Sequence, residues 1–168
     1  MGRGTDNSSL FSDCRRAPWL LLDIDGVISC FDDYQQQISY ENSENRIPVG
    51  TIQRLERLQK TFKCVWATAC DDKEIDNLVD ILGVGSNWPR LQWKQSVLQP
   101  GRTWKLADIN DFVDNRPCAW IDDELFDDAY DWATQRQAPT LLIAADPLRG
   151  LNDTHVTRLE HWATALSL

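Results

Sequence analysis

A short apolar run, Trp19–Leu22, leads directly into two aspartates, Asp23 and Asp25, and this feature constrains the fold most strongly. An apolar run of this length, bounded by acidic residues and glycine, is typical of a strand buried in a parallel sheet. Because the aspartates are two positions apart, an extended backbone would direct both carboxylates to one face, and Gly26 then allows a sharp turn. Alone, such a pair is more often an acidic turn than a functional site. Whether the pair forms a functional site depends on which other polar residues the rest of the chain places beside it.

Length and composition indicate one folded domain without a membrane partner. With 168 residues, 42% of them apolar, the chain is long enough for a three-layer core at 18–168, after a polar, flexible tail at 1–17. The net charge of -9 argues against binding to nucleic acid or to a membrane surface through bulk electrostatics. No segment is apolar enough to span a membrane, and the first eighteen residues lack the apolar core of a signal peptide. The five cysteines include no Cys-x-x-Cys pair, which predicts reduced thiols and a cytoplasmic location.

Along the rest of the chain, stretches whose apolar residues have the spacing of a strand alternate with stretches that have the spacing of a helix. Strands are expected at 62–67, 117–121 and 140–144, with a short edge strand near Leu91–Trp93. Helices are expected to begin near Pro48, Asp71 or Asp72, Thr103, Leu125, and Asn152 or Asp153. Alternating strands and helices of this kind predict an α/β fold in three layers, with a parallel sheet between helices on both faces.

The polar stretch from Ser29 to Ile47 lies between the first predicted strand and the first predicted helix. Its composition suits a hairpin or loop beside the end of the strand. It has roughly twenty residues, well below the ~40 that a self-supporting domain usually needs. The sequence therefore predicts no large cap domain at this position.

The unusual polar residues fall at the predicted carboxyl ends of strands, where open parallel sheets bind their ligands. They are Asp23 and Asp25 after the first strand, Thr68 after the second, Asp122 and Asp123 after a later one, and Lys105 at the start of a helix. An ionised aspartate can attack phosphorus, and a second carboxyl can protonate the leaving group and then activate water. A hydroxyl with backbone amides can hold phosphate oxygens, and a lysine can neutralise phosphoryl charge. The set as a whole therefore indicates phosphoryl chemistry.

The same charges predict a metal ion and an ion pair. Carboxylates gathered at one edge repel each other, by about 4 kcal/mol for a pair at ~4 Å with an effective dielectric near ~20. A hard divalent cation such as Mg²⁺ removes this penalty and can bridge to a phosphate oxygen. Lys105, by contrast, opposes the helix dipole, at a cost of about 0.3–1 kcal/mol. We therefore expect an acidic partner beside Lys105.

In this order, the residues resemble the four successive motifs of the haloacid dehalogenase (HAD) superfamily. The matching segments are Asp23–Val27, Trp66–Ala69, Trp104–Lys105 and Trp120–Glu124. The resemblance runs from Trp19 to the last predicted strand, and the ordered set is much more specific than Thr68 or Lys105 alone. It implies a Rossmann-like sheet with strand order 3-2-1-4-5. Because neither gap between motifs is long enough for an inserted domain, the chain resembles the capless members.

The resemblance also implies a role for each residue of the reaction centre. Asp23 would be the nucleophile that becomes phosphorylated. Asp25 would be the general acid and base, and its backbone carbonyl would help to bind Mg²⁺. Thr68 and Ala69 would bind the phosphoryl group, and Lys105 would stabilise its charge.

For the metal, the resemblance implies a site built from Asp23, Asp25, Asp122 and Asp123. Motif variants differ in whether Asp122, Asp123 or Asp127 ligates the ion directly. Asp25 favours phosphate chemistry, since dehalogenases proper lack the second aspartate. The implied function is a Mg²⁺-dependent phosphatase whose open site takes phosphate on large substrates, such as nucleic-acid ends or proteins.

Two other functions fit part of the pattern. A catalytically weak or inactive HAD-like protein would use the same residues to bind a partner. A receiver domain, which signals through a phosphoaspartate, also joins acidic residues, threonine and lysine on a parallel sheet. It needs its acceptor aspartate at the end of a middle strand, before the threonine, where this chain has Trp66 and Ala67. The receiver interpretation is therefore the weaker of the two.

Several of these residues also have a purely structural interpretation. Lys105 alone fits a solvated lysine. The acidic residues that begin the helix after the fourth motif are expected to form a solvated face; they are Asp127, Asp128 and Asp131. The tryptophans are expected to fill the core, although Trp104, beside Lys105, is also placed to flank a base or another ring.

Overall fold

The structure is a computed structural model that describes residues 17–31 and 39–166. In chain order, its elements are β1 (Trp19–Leu22), β2 (Tyr40–Asn42), β3 (Ile47–Pro48), α1 (Thr51–Thr61), β4 (Lys63–Trp66), α2 (Asp72–Leu82), α3 (Leu106–Val113), β5 (Cys118–Asp122), α4 (Asp127–Gln135), β6 (Thr140–Ala144) and α5 (Asp153–Ala165). Nearly all of the predicted tail at 1–17, and residues 32–38 of the predicted loop, lie outside the described residues. β2 and β3 pair as an antiparallel hairpin, as the polar stretch predicts.

Strands β4, β1, β5 and β6 form one parallel sheet in that order. In the central strand β1, Leu20, Leu21 and Leu22 are fully buried, and each stabilises the fold by about 1.5–3 kcal/mol. Alternate side chains enter two separate cores. Leu20 and Leu22 pack with α1, α2 and α5, whereas Leu21 packs with α3 and α4. Helices thus cover both faces of the sheet, which confirms the predicted α/β arrangement and is compatible with a Rossmann-like layout.

Two helices begin as their capping residues predict. Asp71 accepts the N–H of Glu74, and the Glu74 carboxylate accepts the N–H of Asp71, so two otherwise free amides are satisfied at the start of α2. α2 ends at Gly83, which adopts the left-handed conformation that favours glycine. Asn152 caps α5 by accepting the N–H of His155. Both predicted starts are confirmed.

The first helix begins later than the sequence predicts. Pro48 lies in β3, opposite Tyr40, and not in the first turn of a helix. Gly50 takes a left-handed conformation with φ 87°, and helical geometry starts only at Thr51. α1 nevertheless buries Leu55 and Leu58 in the core on one face of the sheet, whereas Val49, before the helix, is exposed.

The predicted edge strand at Leu91–Trp93 is wrong. The backbone makes only an isolated parallel bridge in this region, between Arg90 and Trp66. The bridge lies on the outer side of β4, where the third strand of the order 3-2-1-4-5 would lie. Just beyond this region, the amides of residues 94–96 donate to the Asp108 carboxylate and not to a neighbouring strand.

Thr103 does not cap α3, contrary to the prediction. Its hydroxyl donates to Asp128 and accepts the N–H of Phe126, both at 2.9 Å. α3 starts at Leu106, with Lys105 at the N-cap position and no side-chain cap. Asp128 also accepts the N–H of Thr103 at 3.1 Å. Asp128 therefore ties the loop before α3 to the first turn of α4, and it does not belong to a purely solvated helix face.

The described residues include four cysteines, Cys30, Cys64, Cys70 and Cys118, and all four are free thiols. Cys64 and Cys118 are buried, as their apolar surroundings in the sequence predict. Among the elements given above, no helix combines the length and the apolar character that crossing a membrane requires.

Candidate active site

Three aspartates from the carboxyl ends of two neighbouring strands meet at one point. Asp23 follows β1, Asp122 ends β5, and Asp123 is the next residue. β1 and β5 pair in parallel, so these residues emerge at the same edge of the sheet. One carboxylate oxygen of each residue lies within 4.8 Å of those of the other two. Acidic side chains from opposite halves of the chain therefore converge, as the strand-end pattern predicts.

The Lys105 side chain neutralises part of this negative charge. Its ammonium lies 2.5 Å from Asp23 Oδ2 and 2.8 Å from Asp122 Oδ2, and all three side chains are buried. Burial lowers the pKa of Lys105, but the two carboxylates outweigh burial and hold this pKa above its usual range. Lys105 is therefore not a solvated lysine, and the acidic partner expected for it is present twice.

Backbone and indole donors orient the two buried carboxylates. Asp23 Oδ1 accepts the N–H of Ile24 at 2.8 Å. Asp122 accepts the N–H of Glu124 at 2.9 Å and the indole N–H of Trp120 at 3.2 Å. Each carboxylate is thus held in one orientation before any ligand arrives, which is what a preorganised reaction centre requires.

Two of the three clustered carboxyls hold their protons more tightly than usual. Burial and the neighbouring charge of Asp122 raise the pKa of Asp23 to about 7, against the opposing effect of Lys105. The same two causes raise the pKa of Asp123 to about 6. Burial and like charge both disfavour the ionised form of a carboxyl. The cluster therefore carries an excess of negative charge even with Lys105 in place.

The donor atoms of the cluster fit a hard divalent cation such as Mg²⁺. Mg²⁺ binds carboxylate oxygens at about 2.1 Å, which puts opposite ligands about 4.2 Å apart. The three carboxylates offer oxygen atoms only, and the cluster spans at most 4.8 Å, close to that distance. A divalent cation would also favour the ionised carboxyls, against the burial and the neighbouring negative charge that raise the two pKa values. Asp23, Asp122 and Asp123 are therefore the residues that could hold the ion.

We expect Mg²⁺ to raise the melting temperature, and to raise it more at pH 8 than at pH 5. A carboxyl whose pKa is raised by folding favours the folded state at low pH, and this contribution is lost as the pH rises from about 4 to about 7. At the upper end of that window, Mg²⁺ meets ionised ligands and competes with fewer protons. Saturating Mg²⁺ at pH 8 should raise Tm by about 5–10 °C in differential scanning calorimetry.

An Asp123→Asn variant is the matched control for this measurement. Asp123 is only half-buried, so the substitution removes one ligand and one repulsive charge without opening the core. The variant should be more stable than the wild type at pH 8 without metal, and should lose most of the Mg²⁺-dependent shift. An equal shift at both pH values, or an undiminished shift in the variant, would contradict the metal site.

Asp25, the predicted acid and base, is not one of the clustered carboxylates. Its side chain is exposed, and the chain turns directly after it at Gly26. Its carboxylate accepts the thiol of Cys70 at 3.6 Å, so the segments that follow β1 and β4 meet here. An exposed carboxyl can exchange protons with water. The role of its backbone carbonyl in metal binding stays a prediction.

Thr68 and Ala69, the predicted phosphate-binding residues, follow β4 at the same edge of the sheet. Thr68 is buried, its hydroxyl accepts the N–H of Cys70 at 3.2 Å, and its carbonyl accepts the indole N–H of Trp93 at 2.8 Å. Ala69 is exposed. Because Asp71 caps α2, Thr68 does not serve as a helix cap. Its phosphate-binding role stays a prediction.

Sequence reasoning missed Asp108, which anchors the loop that follows Trp93. Its buried carboxylate accepts the N–H groups of residues 94–96 at 2.9–3.1 Å and the Ser96 hydroxyl at 2.6 Å. Burial raises the pKa of Asp108, but these hydrogen bonds outweigh burial and lower it. The sequence offers little signal for this role, because an acidic residue in a first helical turn is usually explained by the helix dipole. α3 thus supports both Lys105 and the loop.

No protein-family model matches the chain, and no curated protein matches it at a significant level. The likeness to the HAD superfamily therefore rests on the four sequence segments alone. The geometry of the site does not depend on that likeness: a buried aspartate contacts a buried lysine, and two more carboxylates lie close enough to share one ion with it.

Proposed function

We propose that the protein is a Mg²⁺-dependent phosphatase, similar to HAD hydrolases, that acts through an aspartyl-phosphate on Asp23. One observation carries the proposal. The Lys105 ammonium bridges Asp23 and Asp122, and Asp123 completes an acidic cluster within 4.8 Å at the carboxyl ends of two paired strands. Buried ion pairs contribute little net stability compared with apolar packing, so a buried pair beside a third carboxylate favours a functional role.

In the first half-reaction, a carboxylate oxygen of Asp23 attacks the phosphorus atom of a phosphomonoester. An oxygen–phosphorus bond forms, the bond from phosphorus to the leaving oxygen breaks, and Asp25 donates the proton that this oxygen takes up. Lys105 supplies positive charge to the phosphoryl oxygens, because it already contacts the nucleophile. Held by Asp23, Asp122 and Asp123, Mg²⁺ would supply further positive charge to the same oxygens.

In the second half-reaction, the ionised Asp25 takes a proton from water, and the water oxygen attacks phosphorus. The bond between Asp23 and phosphorus breaks, inorganic phosphate leaves, and both aspartates return to their starting forms. The environments of the two residues suit these roles, since Asp23 is buried and oriented while Asp25 is exposed.

We propose that the site, at the carboxyl ends of the strands, accepts phosphate groups on large molecules as well as on small ones. The stretch between β1 and α1 is too short for a cap domain of its own. A phosphate at a nucleic-acid end or on a protein could therefore approach without a lid having to open. The four free thiols agree with work in a reducing, cytoplasmic setting.

We expect Asp23→Asn to abolish Mg²⁺-dependent phosphate release. The amide has nearly the same size but is a very poor nucleophile, so the rate should fall by on the order of a thousandfold or more. Phosphate release from an aryl phosphate measures the effect, with circular dichroism to verify the fold. Asp131→Asn is the control, since Asp131 is exposed on α4 and should retain the wild-type rate. Activity that survives in Asp23→Asn would contradict the mechanism.

Beryllium fluoride, a phosphate analogue, separates an enzyme from a catalytically weak binding protein. Metal-dependent capture by the wild type, lost in Asp23→Asn, would support an acyl-phosphate site at this aspartate. Absence of capture under saturating Mg²⁺ would favour the binding protein, because the carboxylate would then not act as an acceptor.

A further inference from the structure

Trp104, which directly precedes Lys105, packs against neither hydrophobic core. All eight tryptophans of the chain lie within the described residues, and the other seven belong to one of the two cores or pack against it. Trp104 is half-buried. Part of this large indole therefore stays accessible to a ligand, although the rest of the ring is covered by its neighbours. Membership of a core does not account for this accessible part, which lies beside the ion pair.

The Trp104 ring is nevertheless held in place. It meets the ring of Trp93 edge to face, with centroids 5.1 Å apart and an angle of 63° between the planes. Trp93 is itself fixed, because its indole N–H donates to the Thr68 carbonyl at 2.8 Å. Residues 94–96, which follow it, are bound by Asp108. Trp93 and Trp104 thus form an aromatic wall that is ordered before any ligand binds.

The aromatic wall stands directly beside the proposed reaction centre. The Lys105 ammonium lies 5.6 Å from the centre of the Trp104 ring and 2.5 Å from Asp23 Oδ2. The same ammonium therefore touches the nucleophile and faces the indole. The other member of the wall, Trp93, contacts the carbonyl of Thr68 in the proposed phosphate-binding turn. The wall therefore borders both the lysine that contacts Asp23 and the turn that is proposed to bind phosphate.

We infer that Trp93 and Trp104 form a subsite for a planar ring, and that the substrate is a phosphomonoester whose leaving group carries an aromatic ring close to the phosphate. This inference rests on the proposed phosphatase function and adds a substrate class to it. Rings stack on indole in offset or edge-to-face arrangements that tolerate different ring types. A cationic leaving group is disfavoured, because Lys105 already faces the Trp104 ring. Aryl phosphates and nucleoside phosphates share the required chemistry.

Isothermal titration calorimetry with two phosphonates tests the subsite without turnover. Benzylphosphonate carries a ring next to its phosphonate group, whereas ethylphosphonate has the same charge and no ring. With wild-type protein and Mg²⁺, benzylphosphonate should bind about 5-fold more tightly or better. Equal affinity would overturn the subsite alone. No binding of either compound would overturn the proposed phosphate site, and the subsite with it.

Variants at Trp104 assign the ring preference to the wall. Trp104→Leu should remove most of the preference for benzylphosphonate, and Trp104→Phe should retain part of it, because a phenyl ring still stacks. Trp162→Leu is the matched control, since Trp162 stacks on Phe62 at 6.3 Å in a core on the other face of the sheet from Trp93, and it should keep the wild-type preference. Because Trp104 packs on Trp93, its variants are expected to lose some thermal stability, and the titrations are run at a temperature where circular dichroism shows each variant folded.

A second outcome of the same titrations would also overturn the inference. If Trp104→Leu weakens the binding of both phosphonates by the same factor, the indole only shields Lys105 from water and is no ring subsite.

A separate titration distinguishes the two possible sources of the ring. Adenosine monophosphate and ribose 5-phosphate are titrated into Asp23→Asn. A ring preference in this pair as well supports a nucleotide substrate, and a preference confined to benzylphosphonate supports an aryl phosphate.

Discussion

Replacing Gly26 with alanine is expected to weaken Mg²⁺ binding strongly and, with it, to lower phosphatase activity. Gly26 has a φ of 71°, and a Cβ at this position would lie 2.5 Å from both Cγ and Oδ2 of Asp123. Such a contact cannot persist, so the Asp123 carboxylate must shift, and we expect the shift to take it out of ligand distance from the other two carboxylates. Disturbing the support of a metal ligand lowers metal affinity by about 10- to 100-fold. The Mg²⁺ affinity, measured by calorimetric titration, and the rate of phosphate release should therefore fall together.

Gly101→Ala separates the displacement of Asp123 from backbone strain. Gly101 has nearly the same φ, 70°, but a Cβ there would meet no atom within 4 Å. Both variants place a side chain in the left-handed region, which costs roughly 1–2 kcal/mol of unfolding free energy. Only Gly26→Ala should also lose Mg²⁺ affinity. Equal losses of Mg²⁺ affinity in the two variants would mean that strain, and not the position of the carboxylate, controls the site.

The acidic cluster could be predicted from the sequence because it depends on topology. The apolar runs that form β1 and β5 are local signals, and each ends in aspartate. Parallel neighbours emerge at the same edge, so Asp23 and Asp122 approach each other once the two strands pair. The need for an acidic partner of Lys105 was predictable for an equally local reason, its opposition to the helix dipole. The partners themselves lie 82 and 17 residues away.

The loops around the site could not be predicted, because their partners are distant in sequence and follow no period. Asp108 binds the amides of residues 94–96, directly after the expected strand at Leu91–Trp93, and holds this part of the chain as a loop. Asp128 binds Thr103 in the same way, and this contact replaces the expected helix cap. One buried or half-buried carboxylate can satisfy several loop amides at once, and local propensities do not describe that possibility.

Replacing Lys105 with methionine is expected to lower the free energy of unfolding by about 3–5 kcal/mol at pH 8 in metal-free buffer. The ammonium contacts Asp23 and Asp122, and all three groups are buried, so its removal leaves neighbouring buried carboxyls without their counterion. Urea denaturation measures the loss. Lys63→Met is the matched control, because Lys63 is exposed at the start of β4, and its loss should stay within about 0.5 kcal/mol.

The destabilisation by Lys105→Met should shrink at low pH and in the presence of Mg²⁺. Burial and Asp122 raise the pKa of Asp23 to about 7 even though Lys105 lowers it, so the variant holds this proton still more tightly. At pH 5 Asp23 is protonated with or without Lys105, no uncompensated charge appears there, and the loss should fall below about 2 kcal/mol. The raised pKa of Lys105 keeps the ammonium charged at both pH values, so the pH dependence reports the carboxyl.

Mg²⁺ at pH 8 should restore part of the stability that Lys105→Met loses, because the same carboxylates bind it. A loss of equal size at pH 5 and pH 8 would contradict the electrostatic origin and indicate packing of the lysine stem instead.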